Sequence, residues 1–237
     1  MTVALLAAAL AHASEPVLVV PSPGIQVEAY TGLVQALRTD GHSVEVASFP
    51  CSGSVDAMRE VLAQQARGRV VVAHGLGATL ALQSDAEVRS WVLMAPVLGL
   101  PTSAAAQQAL ASLPSAPANL AADGEDDGLR DRLLGPGWAE FGTCVAPALV
   151  DAWVELGASG GRIPDLDGQG APVWVGVSLL DELAPPERVI PLSRDLFERT
   201  VRRIGITAFD AKDCRHLEIP MDPAWIRAVR RAVRTGR

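Results

Sequence analysis

Short, wholly apolar segments recur along this chain, and segments with helical spacing separate them. Val17–Val20, Val70–Ala73 and Trp91–Met94 are apolar at consecutive positions, so each predicts a strand buried on both faces. Between the first and second of these lies Val55–Ala66, whose apolar residues recur at the spacing of a helix. Buried strands that alternate with helices are typical of a parallel sheet covered by helices on both faces. We therefore predict an α/β fold with a mostly parallel sheet.

The same pattern predicts the remaining elements of a single domain. Further strands are expected at Val44–Ala47, Val173–Val177 and Ile206–Phe209, and further helices at Tyr30–Arg38, Leu76–Leu82, Leu192–Arg203 and Ala224–Val233. A chain of 237 residues suits one large domain, which we place at 1–237. Residues 101–170 show no strand pattern and are rich in Ala, Pro and Gly, so we interpret them as a short lid inserted into that domain.

Composition and charge exclude several classes of protein. The net charge of −7 provides no general field for holding nucleic acid, so no nucleic-acid partner is expected. The longest apolar runs are too short for a transmembrane segment. Three cysteines and four histidines are scattered without metal-ligand spacing, so neither a metal site nor a cofactor is predicted.

The amino terminus leaves the compartment open between two alternatives. Val3–Leu10 is an apolar run, and Ala11-His12-Ala13 resembles the small-residue cleavage site of a signal peptide. The basic residues that normally precede such a run are missing. We therefore predict a cytoplasmic protein with reduced thiols, and export as the alternative if residues 1–13 act as a signal.

A strand followed by closely spaced glycines carries a family resemblance. Residues 70–78 read Val-Val-Val-Ala-His-Gly-Leu-Gly-Ala, which resembles the nucleophile elbow of the α/β-hydrolase family. In that family a strand ends in small-x-Ser-x-Gly and turns sharply into a helix. Ala73 and Gly77 match the small positions, whereas Gly75 stands where the family has its nucleophilic serine. The resemblance implies an α/β-hydrolase-like sheet with reduced amino-terminal strands.

Two further residues follow in the order that this family uses. Asp181 comes directly after the strand predicted at Val173–Val177, and His216 follows the last predicted strand. The resemblance implies that they form an acid–base dyad beside Gly75. Taken from the residues alone, Asp181 could instead cap a helix beginning near Pro185, and His216 could be an ordinary surface histidine.

The loop after the first strand bears on the oxyanion hole, the pair of N–H groups that stabilises the developing negative charge. Pro21 and Ser22 fall where the family has His-Gly, and Pro23 falls at the position of an oxyanion donor. Proline has no N–H, so half of the oxyanion hole is predicted to be lost. By the same resemblance Ser22, Pro23, His74 and Leu76 are expected to line a ligand site.

Other side chains could replace the missing hydroxyl. Cys51 follows the second strand and could reach the same edge of the sheet, but no neighbouring base is evident, so we interpret it as an ordinary loop thiol. Ser22 and Thr79 are similar candidates.

These observations predict a non-catalytic α/β-hydrolase-fold protein, a pseudoenzyme, that binds a small ligand or a protein partner. Gly75 has no hydroxyl, so no acyl-enzyme can form at that position. The alternative is an active enzyme, esterase- or thioesterase-like or base-catalysed, that uses Asp181 and His216 without a serine at position 75.

Overall fold

A parallel sheet of six strands is the centre of the molecule. The computed structural model describes residues 15–49, 54–98, 171–191, 204–209 and 214–235. The strands are β1 (Pro16–Val20), β2 (Ser43–Val46), β3 (Val70–His74), β4 (Ser90–Met94), β5 (Val173–Ser178) and β6 (Ile204–Phe209). Their order in the sheet is β2-β1-β3-β4-β5-β6, and every neighbouring pair is parallel. The predicted α/β class is confirmed.

Helices cover both faces of this sheet. They are α1 (Thr31–Thr39), α2 (Val55–Ala66), α3 (Gly75–Leu82) and α4 (Pro223–Thr235), and residues 186–191 are also helical. The chain steps outward from β1 to β2 and then back across the sheet to β3 and β4. Since parallel crossovers are right-handed, this reversal puts α1 on one face and α2 and α3 on the other. Helix α4 packs against α1, and α2 packs against α3.

The predicted strands and helices agree with the structure to within a few residues. The largest local difference is at Tyr30, which ends a 3-10 turn (Val27–Tyr30) instead of beginning the helix. Strand β2 begins at Ser43 and is half-exposed because it lies at an edge of the sheet. The predicted Leu192–Arg203 helix, the lid at 101–170, the run Val3–Leu10 and Cys51 lie outside the described residues.

The core lies where the two middle strands meet the helices. All residues of β3 and β4 are buried, as their apolar sequences predict. Among the largest fully buried side chains are Trp91 of β4 and Trp225 of α4. Gly176 of β5 lies directly against the Trp225 ring, so any side chain at this position would collide with the indole. Within the described ranges, no helix combines the length and the apolar character needed to cross a bilayer.

A buried carboxylate ties α4 to the end of α1. Asp40 follows the last turn of α1, where a negative charge opposes the helix dipole. Arg230 and Arg234 of α4 donate to it, with Arg230 Nε 2.7 Å from Asp40 Oδ2. These hydrogen bonds lower the pKa of Asp40 from 3.8 to about 2 despite the opposing effect of burial. The two guanidinium groups therefore offset the unfavourable position of the carboxylate.

We predict that Asp40→Asn lowers the free energy of unfolding at pH 7 by about 1 kcal/mol. Because folding depresses the pKa of Asp40, its stabilisation is present above the unfolded pKa and is lost as the pH falls towards about 2. The free energies of unfolding of the unaltered protein and of Asp40→Asn, measured by urea melts between pH 7 and pH 2.5, should therefore converge at low pH. Asp56→Asn is the control, since its pair with Arg59 leaves Asp56 90% exposed and should contribute little at any pH. A pH-independent difference at Asp40 would contradict the electrostatic explanation.

Candidate active site

The strand–turn–helix predicted around Gly75 is present. Strand β3 ends at His74 and helix α3 begins at Gly75 without an intervening loop. Gly75 has φ +55°, in the left-handed region that favours glycine. The turn lies at the carboxyl edge of the sheet, where open α/β sheets bind their ligands.

Gly77 lets the loop after β1 approach this turn closely. A Cβ built on Gly77 would run into the backbone carbonyl oxygen of Pro21. Unlike the end of a flexible side chain, a backbone carbonyl moves only with its loop. Gly77 matches a small position of the elbow pattern, and the structure shows that the Pro21 carbonyl is the group that a larger residue would meet.

We predict that Gly77→Ala costs at least ~2 kcal/mol of stability, within the range for overpacking a buried site. Gly32→Ala in α1 is the matched control, because its Cβ would lie at an ordinary 3.5 Å from Ile226 Cδ1. Alanine is favoured over glycine inside a helix, so this control should be neutral or stabilising. Thermal melts of the two variants would show the contrast, and equal melting temperatures would contradict the steric explanation.

Asp181 and His216 meet in a buried, directed pair. Asp181 Oδ2 lies 2.7 Å from His216 Nδ1. The other carboxylate oxygen, Oδ1, accepts the backbone N–H groups of Leu183 at 2.9 Å and Ala184 at 3.1 Å. The aspartate and the histidine are 1% and 2% exposed. With both oxygens held, the carboxylate fixes the ring orientation and keeps the proton of His216 on Nδ1.

This pair does not match the alternatives drawn from the residues alone. The amides bound by Asp181 precede the helical residues 186–191, so the carboxylate forms a local turn and does not cap that helix. His216 begins a 3-10 turn just before α4 and is buried instead of standing on the surface.

The free nitrogen of this pair is directed at the place where a side chain of residue 75 would stand. A Cβ built on Gly75 has His216 Nε2 as its nearest neighbour, and Ser22 Oγ is only 2.6 Å from it. Both contacts are far closer than packed carbon allows. The two side chains therefore fill the space that a side chain at residue 75 would occupy.

Tyr30 and His74 contact Ser22 and His216 and help to hold them in place. The Ser22 N–H donates to the Tyr30 hydroxyl at 2.9 Å, and that oxygen lies 2.7 Å from His74 Nδ1. The His74 ring stacks on the His216 ring, with centroids 4.5 Å apart and planes 25° from parallel. Ser22 and His74 were among the residues expected to line a ligand site, but no sequence signal indicated that the chain's single tyrosine joins them.

Burial controls the protonation of this support. It holds the pKa of His74 well below its ordinary value, and a positive charge on neighbouring His216 would lower it further. Burial also raises the pKa of Tyr30. His74 is therefore neutral and Tyr30 protonated, so the phenol O–H donates to His74 Nδ1 while its oxygen accepts from Ser22.

One backbone donor points at this centre from the start of α3. The Leu76 N–H lies 3.4 Å from Ser22 Oγ, a long hydrogen bond. In the loop after β1, the Ser22 N–H is used by Tyr30, and Pro23 has none.

Thr79 and Cys214 take no part in this arrangement, and the candidate Cys51 lies outside the described residues. The Thr79 hydroxyl donates to the carbonyl oxygen of Val97. Cys214 is a buried free thiol, and burial raises its pKa to about 12, which disfavours the thiolate form. Within the described residues no group of three or more His, Cys, Asp or Glu side chains could hold a metal ion.

Comparison with solved structures identifies the fold. The chain is similar to a monoacylglycerol lipase from Paleococcus ferrophilus, with 19% identity over 94% of this chain and 95% of that one, at a TM-score of 0.60. It is also similar to a soluble variant of monoglyceride lipase from Saccharomyces cerevisiae, with 13% identity over 94% of this chain and 87% of the other, at a TM-score of 0.63. A third similar structure is an alpha/beta hydrolase enzyme from the sediment metagenome of the Mar Chica lagoon in Morocco. Its identity is 13% over 89% of this chain and 85% of that one, at a TM-score of 0.53.

No protein-family model matches the chain, and no curated protein sequence is significantly similar to it. At these identities the structural likeness defines the fold alone. The chain has the α/β-hydrolase fold, as the resemblance at residues 70–78 implied.

Proposed function

We propose that this protein hydrolyses a carboxylic ester or thioester, with His216 as the general base and Asp181 as its orienting partner. The observation that carries the proposal is the 2.7 Å bond between Asp181 and His216 Nδ1, which leaves Nε2 directed at the space beside Gly75. The two lipases to which the chain is similar in structure support the same reaction class.

The geometry supports base chemistry because only one of the two ring nitrogens of His216 is held by the carboxylate. Nδ1 is fixed by a buried carboxylate that also holds two backbone amides, so Nε2 is the nitrogen left to accept a proton. A positioned histidine base of this kind contributes typically ~10²–10⁴-fold to a rate. The Leu76 N–H, at the amino end of α3, could stabilise negative charge on the carbonyl oxygen.

The second candidate is the non-catalytic binding protein predicted from the sequence. Its specific support is the absence of a hydroxyl at residue 75, together with the loss of a donor at Pro23. Such a protein would bind a small ligand or a protein partner at the same edge of the sheet. Of the two candidates, hydrolysis accounts better for an Asp–His pair that is buried and held at three points.

We predict that the protein hydrolyses p-nitrophenyl acetate or its thioester analogue in a manner that depends on His216. His216→Ala should lower kcat/KM by at least ~10²-fold, because the base is removed. Asp181→Asn should lower kcat more than KM, because the amide would no longer hold the ring in the required tautomer.

Ser90→Ala is the matched control for this experiment. Ser90 is as buried as His216, but it begins β4 and therefore lies at the amino ends of the strands, whereas Gly75 lies at their carboxyl ends. The Ser90→Ala variant should hydrolyse the ester at the same rate as the unaltered protein. Identical background rates for the unaltered protein and His216→Ala, with both folded, would instead favour the binding protein.

A further inference from the structure

We propose that Ser22, on the loop after β1, is the nucleophile of this site and replaces the serine that residue 75 lacks. The inference rests on the proposed hydrolysis and deepens it by naming the residue that carries the acyl group. The sequence placed Ser22 only among residues lining a ligand site and among several substitute hydroxyls.

The position of the Ser22 hydroxyl is the first support. Oγ lies 2.6 Å from the point where a Cβ of residue 75 would stand, and His216 Nε2 lies beside the same point. The hydroxyl thus reaches, from a different loop, the space where this fold normally carries its nucleophile. A rotation about the Cα–Cβ bond of Ser22 alone moves Oγ relative to Nε2, with no change in the backbone.

The rigidity of the loop is the second support. Ser22 lies between Pro21 and Pro23, whose rings fix their own backbone angles. Its N–H is held by Tyr30 at 2.9 Å, and its carbonyl oxygen accepts the Ile25 N–H at 3.1 Å. A residue that is 4% exposed and fixed on both sides has only its hydroxyl left to move. Such a fixed backbone holds a reacting atom in place at little entropic cost.

The hydrogen-bond donor beside Ser22 Oγ is the third support. The Leu76 N–H, which has no acceptor within the first turn of α3, lies 3.4 Å from this oxygen. A partial positive charge at the start of the helix favours negative charge developing there, first on Oγ and then on the oxygen of the attacked carbonyl.

The same contacts give a reason for glycine at residue 75. A side chain there would meet Ser22 Oγ at 2.6 Å and His216 Nε2 at 2.4 Å, so a Cβ at position 75 would require both side chains to leave their observed positions. We therefore interpret Gly75 as the residue that makes room for Ser22.

The proposed reaction has two steps. His216 Nε2 takes the proton of the Ser22 hydroxyl as Oγ bonds to the ester carbonyl carbon. The carbon–oxygen bond to the alcohol then breaks, and His216 returns that proton to the leaving alkoxide. In the second step His216 takes a proton from water, whose oxygen bonds to the acyl carbon. The bond to Oγ breaks, the carboxylic acid leaves, and the proton returns to Ser22.

The test is covalent labelling with an alkyl fluorophosphonate, followed by peptide mass spectrometry, alongside hydrolysis of p-nitrophenyl acetate. We expect one phosphonyl group per chain, on Ser22, and none on Ser22→Ala or His216→Ala. Ser22→Ala should also lose at least ~10²-fold in kcat/KM. The double variant Ser22→Ala/His216→Ala should be no slower than either single variant, because a nucleophile and its base act as a unit. Ser90→Ala should label and turn over normally, and thermal melts confirm that each variant is folded.

The outcomes separate this inference from the proposed function. Hydrolysis that depends on His216 but persists in Ser22→Ala, or a label on another residue, would overturn the role of Ser22 and leave the general base in place. A label on Ser22 without ester turnover would support the nucleophile and overturn the hydrolysis. Neither label nor turnover in the folded protein would overturn both.

A second variant tests the shared space directly. Ser22→Gly/Gly75→Ser moves the hydroxyl from the loop to the turn while keeping one side chain in the crowded region. We expect the double variant to recover His216-dependent labelling, now at residue 75, at a rate at least ~10-fold above Ser22→Gly. The His216 ring must shift to admit the new Cβ, so the position of the label is the deciding result. A label on a residue other than 75 in the folded double variant would overturn the inference.

Discussion

The close approach of the loop after β1 to the start of α3 is the constraint on which the site depends. It requires Gly77, because a Cβ there would strike the carbonyl oxygen of Pro21. It also requires Gly75, whose missing side chain leaves room for Ser22 and the His216 ring. Two glycines two residues apart thus let the loop after β1 pack against the start of α3, at the carboxyl ends of the paired strands β1 and β3.

Around this contact the polar groups form one connected arrangement. The Asp181 carboxylate holds His216, the His216 ring stacks on His74, and His74 is hydrogen-bonded to Tyr30. Tyr30 in turn holds the backbone of Ser22. Unpaired polar groups are costly in a buried region, so the hydrogen bonds among Asp181, His216, Tyr30 and Ser22 stabilise this arrangement. Within the described residues His74 Nε2 is buried without a hydrogen-bond partner, which is the one unfavourable feature of the arrangement.

Much of the fold could be predicted from local pattern. The continuous apolar runs of β3 and β4 indicated buried parallel strands, and the spacing of α2 gave its limits to the residue. The turn at Gly75 and the order of Asp181 and His216 followed from the resemblance of short segments. At Tyr30 local pattern was insufficient, because a 3-10 turn and the first turn of a helix differ little in sequence.

The sequence by itself determined which chemistry is present: glycine at the turn, an aspartate and a histidine after later strands, and a Pro-Ser-Pro loop after the first. It determined too that no acyl group can be carried by residue 75. Only the tertiary structure decided that Ser22 and His216 share the space beside Gly75, and that Tyr30 and His74 support them. The Tyr30–His74 contact joins residues 44 positions apart, the Ser22–Tyr30 contact joins residues eight apart, and both depend on loop backbones and side-chain rotamers. Loop backbones and side-chain rotamers produce no periodic pattern in the sequence. Strands and helices do, because residues that share a face recur at fixed intervals along them.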